Sequence, residues 1–206
     1  MFADQHSIRL IPRTAGTSLA GQVVGKALVV DVSKFFNRIL EINKEESYVW
    51  VEPGVVRDVL NVELKKQGLF FGPETSTANR AMIGGMVGNN SSGTTSIVYG
   101  VTRDKVISLN TILSDGKKVV FRELSPEDFK HKCGQKDLEG TLYRPVWEEL
   151  GQPETRAEIH AQFPKKSIHR RNTGYAVDEL LKASQFEGTA NFNFCKLLSG
   201  SEGTLA

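Results

Sequence analysis

The sequence predicts an α+β protein in two parts. Residues 1–71 form a small α/β unit, and residues 72–206 form an antiparallel sheet flanked by helices, with a helical insertion at 122–170. Three patterns predict it. Two short apolar runs, 8–11 and 27–31, bracket a loop of small residues, as strands with both faces covered do. Two further runs, 105–114 and 117–121, meet at Asp115-Gly116, a pair suited to a tight primed hairpin turn. Between 122 and 162 the composition turns charged and takes on helical spacing.

Each remaining element follows from its own pattern. Residues 39–42 and 48–51 alternate in polarity around Asn43-Lys44-Glu45-Glu46-Ser47, which reads as a hairpin. After Gly54, the residues Val56, Val59, Leu60 and Leu64 mark a helix, and Gly68 supplies its C-terminal stop. Large apolar residues are scarce from 73 to 100, so that stretch reads as loop with a short helix at 83–87. Helices are expected at 126–132, 138–150 and 154–163; such charge runs are usually solvated faces, so they read as an insertion without a functional loop. Tight loop chemistry returns at Arg170-Arg171-Asn172-Thr173-Gly174-Tyr175 and at Gly200-Ser201-Glu202-Gly203-Thr204. Both ends break into patterns already under way, so the chain reads as a fragment truncated at each terminus.

Composition bounds the function. The 206 residues are 39% hydrophobic and 24% charged, the balance of an ordinary globular domain. A net charge of +2 is too small to argue for nucleic acid or an anionic membrane. No run approaches the roughly 18 apolar residues of a transmembrane segment, and no secretory leader pattern is present. The default compartment is therefore cytoplasmic. Cys133 and Cys195 lie far apart and cannot by themselves ligate zinc or a cluster; they read as buried or incidental thiols. His6, His131, His160 and His169 are scattered without metal-ligand spacing, and no Gly-x-Ser-x-Gly elbow occurs. No metal site is expected, no catalytic residue is assigned, and any chemistry belongs to a cofactor.

The small-residue loops are where that cofactor is expected. Arg13-Thr14-Ala15-Gly16-Thr17-Ser18 follows a strand; its N–H groups and hydroxyls suit a pyrophosphate, and Arg13 adds charge. A plain polar connection would account for that loop equally well. The segment 72–93 is denser. Gly84, Gly85, Gly88 and Gly93 let a ligand approach the backbone, while Asn89 and Asn90 tolerate left-handed geometry and offer amides. A linker would be more charged or more repetitive, and ordered glycine loops of this length are uncommon without a function. Together these loops read as the holder of a large nucleotide. Two other nucleotide signatures are excluded. No Gly-x-Gly-x-x-Gly follows a strand, and 21–27 is one residue short of a P-loop, with Ala27 replacing the Mg²⁺-binding hydroxyl.

The order of the motifs is more specific than any one of them. Pro12-Arg13 with Gly16-Thr17-Ser18-Leu19-Ala20-Gly21-Gln22 comes first, then Val30-Asp31 and Val51-Glu52-Pro53-Gly54. Gly72-Pro73-Glu74-Thr75-Ser76, Thr77-Ala78-Asn79-Arg80, Ile83-Gly84-Gly85 and Gly88-Asn89-Asn90-Ser91-Ser92-Gly93 follow. Tyr99-Gly100, Asn172-Thr173-Gly174-Tyr175 and Ser201-Glu202-Gly203-Thr204 complete the series. This series resembles the FAD-binding domain of FAD-linked oxidases of the vanillyl-alcohol oxidase and p-cresol methylhydroxylase type. Within them it is similar to D-lactate, glycolate and D-2-hydroxyglutarate dehydrogenases. The Ala78-Asn79-Arg80 and Gly88–Gly93 runs and the helical insertion resemble a branch that fuses this module to a cap and an iron–sulfur domain.

The resemblance implies a two-subdomain FAD-binding fold and a site. Arg13, Thr14, Ala15, Gly16, Thr17 and Ser18, with Gly21 and Gln22, would cradle the pyrophosphate. Pro73, Thr75 and Ser76 would lie near the ribityl chain and flavin, with Gly84, Gly85, Asn89, Asn90 and Gly93 alongside. Glu202, Gly203 and Thr204 would approach the adenosine half. Members with covalent flavin often place a His in the first loop; this chain has none there, so non-covalent FAD is implied. Thr14 and Ala15 stand where the family is commonly richer in glycine, which tightens the approach to phosphate. The implied reaction is oxidation of a small D-2-hydroxy acid to the 2-oxo acid by hydride transfer to FAD. The alternatives are another substrate on the same fold or a non-catalytic nucleotide-binding module. Catalytic and metal-binding histidines would lie in a cap beyond residue 206, and an iron–sulfur cluster in the parent protein. Peripheral attachment of the parent to the inner membrane is implied as well, and the electron acceptor is left open. The chain by itself is expected to fold, to bind FAD weakly or not at all, and to be inactive.

Overall fold

The computed structural model describes residues 2–205 apart from Lys166, His169, Arg170, Asn172 and Thr173. The expected loop chemistry at 170–173, Arg171 excepted, therefore lies outside the described residues. Contacts divide the chain into two compact units. One runs to Thr102 and includes Ser201–Thr204; the other is Arg103–Gly200 with Leu205. Residues 72–102 thus group with the first unit.

The first unit begins with a four-residue helix, α1 (Phe2–Gln5), and a parallel pair, β1 (Leu10–Arg13) and β2 (Leu28–Asp31). Leu10 faces Leu28 across the ladder and Arg13 faces Asp31. The apolar runs were expected to be covered on both faces, and they are not: Leu28, Val29 and Val30 stay 37–47% exposed. The β-branched Val29 and Val30 satisfy strand geometry, and a two-stranded ladder has no flanking strands to shield these side chains. The expected hairpin forms between β3 (Ile39–Asn43) and β4 (Tyr48–Val51). Its register slips by one between Ile39 and Glu41, so Leu40 is an extra, exposed residue. That bulge resets the alternation and lets Ile39 and Ile42 both reach the core.

Helix α2 (Arg57–Lys65) closes this core with Leu60 and Leu64, one turn apart, packed beside Val55, Val49 and Val51. Val59, which the spacing placed inward, is 56% exposed. The helix ends as expected at Gly68. Its φ is +75°, its N–H donates to Lys65 O, and the Leu69 N–H reaches Leu64 O, a Schellman closure. Helix α3 (Ile83–Asn89) extends two residues past the expected 83–87. Asn90 terminates it in the left-handed region, at φ 52° and ψ 49°, and is 1% exposed. Two single-turn helices follow, α4 (Ser96–Tyr99) and α5 (Thr102–Lys105).

In the second unit β5 (Leu109–Ile112) and β6 (Lys118–Phe121) form the expected hairpin. Its turn is not the two-residue primed type. Leu113 N–H bonds Lys117 O, Gly116 N–H bonds Leu113 O, and only Gly116 has positive φ, so the loop has three residues with glycine at the bulge. Helices α6 (Pro126–Gly134), α7 (Leu138–Leu150) and α8 (Pro153–Gln162) follow, then the short α9 (Val177–Leu180) and α10 (Cys195–Leu198). Ser125 caps α6 by accepting the Asp128 N–H, and Asp137 caps α7 by accepting that of Gly140.

These helices are more than a solvated layer. Phe129 of α6 and Tyr143 of α7 are buried with Phe121, Phe192 and Phe194 in the main core of this unit. Arg103 is buried here too, its guanidinium donating to Lys196 O at 2.8 Å and to Ser199 O at 2.6 Å. Both cysteines are free thiols. Burial pushes that of Cys195 up to about 12, and its Sγ lies 3.3 Å from Phe121 O. Among the described residues no helix is long and apolar enough to cross a membrane.

Candidate nucleotide-binding site

The first unit carries an open cleft of about 550 Å³ at the carboxyl ends of β1 and β2. Ligands of α/β folds gather at such strand ends, where side chains and loop backbone converge. One wall is Arg13, Thr14, Ala15 and Gly16 with Asp31 and Ser33; the other includes Val56, Asn79, Arg80 and Met82. Gly16 has φ +64°, which lets the loop turn at the cleft without strain.

Asp31 organises the first wall. Its Oδ1 accepts the Ser33 hydroxyl at 2.5 Å and the Ser33 N–H at 2.9 Å, and its Oδ2 accepts Arg13 Nη2 at 3.2 Å. The Ser33 hydroxyl and N–H, and then the Arg13 guanidinium, hold the Asp31 carboxyl down at about 2. The second wall is fixed by helix capping. No side chain caps α2; instead the Arg57 and Asp58 N–H groups donate to Ala81 O and Ala78 O. The turn that bears Asn79 and Arg80 is thereby tied to the start of α2.

A second group of expected residues converges elsewhere in the same unit. The Glu202 carboxylate accepts Asn89 Nδ2 at 2.7 Å and Gln22 Nε2 at 3.2 Å, and its own N–H donates to Gly88 O. Gln22 Oε1 is buried without a protein partner. Thr14 connects the first loop to α3, because a Cβ on Gly85 would stand 2.5 Å from Thr14 Oγ1. The 72–76 segment is held from both sides. Arg57 Nε donates to Pro73 O, and Gly93 lies so close that its Cβ would meet Glu74 O at 2.9 Å. Gly84 packs on Pro53 in the same way.

Of the expected residues, the cleft itself gathers Arg13, Thr14, Ala15 and Gly16. Thr17, Ser18 and Gly21 continue the loop outside its lining, as do Thr75 and Ser76. Gly203 and Thr204 lie exposed in the turn after Glu202. Sequence reasoning gave no role to Asp31, Ser33, Asn79 or Arg80. The signal for Asp31 was its place at the end of a strand parallel to the one that Arg13 ends.

An open cleft lined by the Gly16 backbone and two guanidinium groups fits a phosphorylated dinucleotide. The FAD binding domain family matches residues 1–122. The chain belongs to this family. The chain is 40% identical to a D-2-hydroxyglutarate dehydrogenase of Pseudomonas putida over 96% of its length, which is 19% of that protein's length. It is 36% identical to a glycolate oxidase subunit of Bacillus subtilis over 56% of the chain and 25% of the relative. The chain thus spans about a fifth to a quarter of the curated relatives it matches. A solved alkyldihydroxyacetonephosphate synthase shares the fold, with TM-score 0.53 and 24% identity over 63% of this chain and 26% of that one. The fold is the α+β fold of FAD-binding oxidases.

Proposed function

We propose that this FAD binding domain serves a dehydrogenase that oxidises a D-2-hydroxy acid of the 2-hydroxyglutarate type to the 2-oxo acid, with FAD held non-covalently. The observation that carries the substrate class is the extent of likeness. Similarity to the D-2-hydroxyglutarate dehydrogenase runs through 96% of the chain, whereas that to the glycolate oxidase subunit stops at 56%. Residues 12–22 contain neither His nor Cys, which supports a non-covalent cofactor.

When bound, FAD would supply the acceptor for a hydride from C2 of the hydroxy acid. The chain's own part is binding and orientation. Arg13 to Ser18, Gly21 and Gln22 would face the pyrophosphate, where N–H groups and charge offset the anion. Pro73, Thr75 and Ser76, with Gly84, Gly85, Asn89, Asn90 and Gly93, would border the ribityl chain and ring. Glu202, Gly203 and Thr204 would meet the adenosine half. The Glu202 carboxylate, steadied by Asn89 and Gln22, is suited to accept a ribose hydroxyl. A cap with the catalytic groups, an iron–sulfur cluster, and a cytoplasmic parent at the inner-membrane surface belong to the same reading and rest on the motif resemblance.

The test is FAD titration of the 206-residue chain, followed by flavin fluorescence and by the thermal midpoint. Weak but saturable quenching that raises the midpoint is expected, because a ligand that binds only the folded state stabilises it. A chain that melts cooperatively, yet neither quenches flavin nor shifts its midpoint, would refute the reading for these residues.

A further inference from the structure

The cleft holds two arginines, but their charges are not equivalent. Arg13 ends β1 directly opposite Asp31, and its Nη2 is bonded to that carboxylate. Asp31 is ionised at neutral pH and anchored on its other oxygen by Ser33, so it stays in place and cancels the Arg13 charge. Arg80 has no such counterion. Among the described residues its guanidinium meets only the neutral Asn79 Oδ1, at 3.3 Å. Its backbone is fixed as well, through Arg80 N–H to Thr77 O at 2.8 Å and the ties of Ala78 and Ala81 to α2. Of the charged groups that line the cleft, Arg13, Asp31 and Arg80, the last supplies the net positive charge.

We propose that Arg80, rather than Arg13, is the principal charge anchor for a phosphate of the bound nucleotide, and that the Asp31–Arg13 pair is a neutral positioning unit that shapes the opposite wall. This rests on the proposed FAD site for the identity of the nucleotide, but the anchor itself is a property of the cleft. A guanidinium with most of its N–H groups unengaged can grip a phosphate through two parallel bonds, which a guanidinium already neutralised by a carboxylate does less well.

The test is calorimetric titration of the full chain with FAD, riboflavin and inorganic pyrophosphate. Arg80→Gln is expected to weaken FAD and pyrophosphate by about tenfold, since a charge-assisted bond contributes about that much. It should leave riboflavin, which has no phosphate, unchanged, and it should flatten the salt dependence of FAD binding. Arg80→Lys keeps the charge without the fork and should fall between the two. The double variant Asp31→Asn with Arg13→Gln keeps the net charge of the cleft and should lose less FAD affinity than Arg80→Gln does. If FAD binds but Arg80→Gln is indistinguishable from the parent, or loses riboflavin in parallel, the anchor is overturned and the flavin reading stands. If FAD fails to bind while pyrophosphate binds and depends on Arg80, the anchor stands and the flavin reading falls. A parent chain that ignores pyrophosphate overturns the anchor directly.

Discussion

Replacing Phe129 by Ala asks whether α6 and α7 form the core of the second unit or merely decorate it. The ring is 0% exposed, with its centroid 4.5 Å from Phe192, 5.7 Å from Tyr143, 5.8 Å from Trp147 and 6.3 Å from Phe186. Truncating a buried Phe costs about 3–5 kcal/mol, the sum of lost transfer energy and the cavity left behind. Aromatic pairing adds about 0.5–1.5 kcal/mol per pair beyond area, so four neighbouring rings place this site in the upper half of the range, about 4–5 kcal/mol. Whole domains are stable by about 5–15 kcal/mol, so such a loss would leave the second unit close to unfolding. Phe129→Leu, which fills most of the space, should cost about 1.5 kcal/mol. Urea unfolding followed by tryptophan fluorescence reads this out, because Trp147 stands against the substituted ring. A loss below about 1 kcal/mol for Phe129→Ala would refute the assignment of these helices to the core.

Two further predictions concern the first unit. Gly93→Ala places a methyl 2.9 Å from Glu74 O and 3.0 Å from Glu74 C, so backbone must move; a loss of about 1–3 kcal/mol in urea unfolding and weaker FAD binding are expected. Gly88→Ala is the matched control. Its Cβ would meet nothing within 4 Å, and replacing a glycine inside α3 should stabilise the chain by about 0.5–1 kcal/mol. Asp31 is a depressed carboxylate, so its contribution is present above the ordinary value of 3.8 and lost as pH falls from there through about 2. The parent chain should therefore lose thermal stability across that window more steeply than Asp31→Asn, and equal slopes in a pH series of melting curves would remove Asp31 from the acid response.

The sequence made local chemistry legible and long-range closure only partly so. Both hairpins and the stop at Gly68 were readable because each depends on residues within a few positions of one another. The bulge at Leu40 was not, because it is set by which side chains must reach Leu60 and Leu64. The hairpin turn was misread for a related reason: Asp115-Gly116 fits two loop lengths, and the Leu113–Lys117 pairing chooses the longer. Arg13 was found through its loop of small residues. Asp31 was quoted as a motif member but carried no role, since its meaning comes from a strand partner 18 residues away. The inward faces of α6 and α7 were hidden by the charged faces that surround them, and only the packing of Phe192 and Phe194 from later in the chain shows that they form a core.

The charge balance of the cleft is therefore a consequence of strand register. Arg13 and Asp31 are opposite each other because Leu10 pairs with Leu28 and the two strands run parallel for four residues. A slip of β2 by one residue would turn its side chains to the other face and separate the pair. Arg13 would then present a full charge to the cleft, and Asp31 would be held by Ser33 without a cation to cancel it. Arg80 depends on none of this, since its turn is fixed by the capping of α2. The two walls of the site thus draw their order from separate sources, a ladder on one side and a helix terminus on the other. A loop insertion between Gly16 and Leu28 that preserves the ladder should leave the anchor intact, whereas disrupting the 77–81 turn should weaken phosphate binding about as much as Arg80→Gln does while Arg13 remains paired.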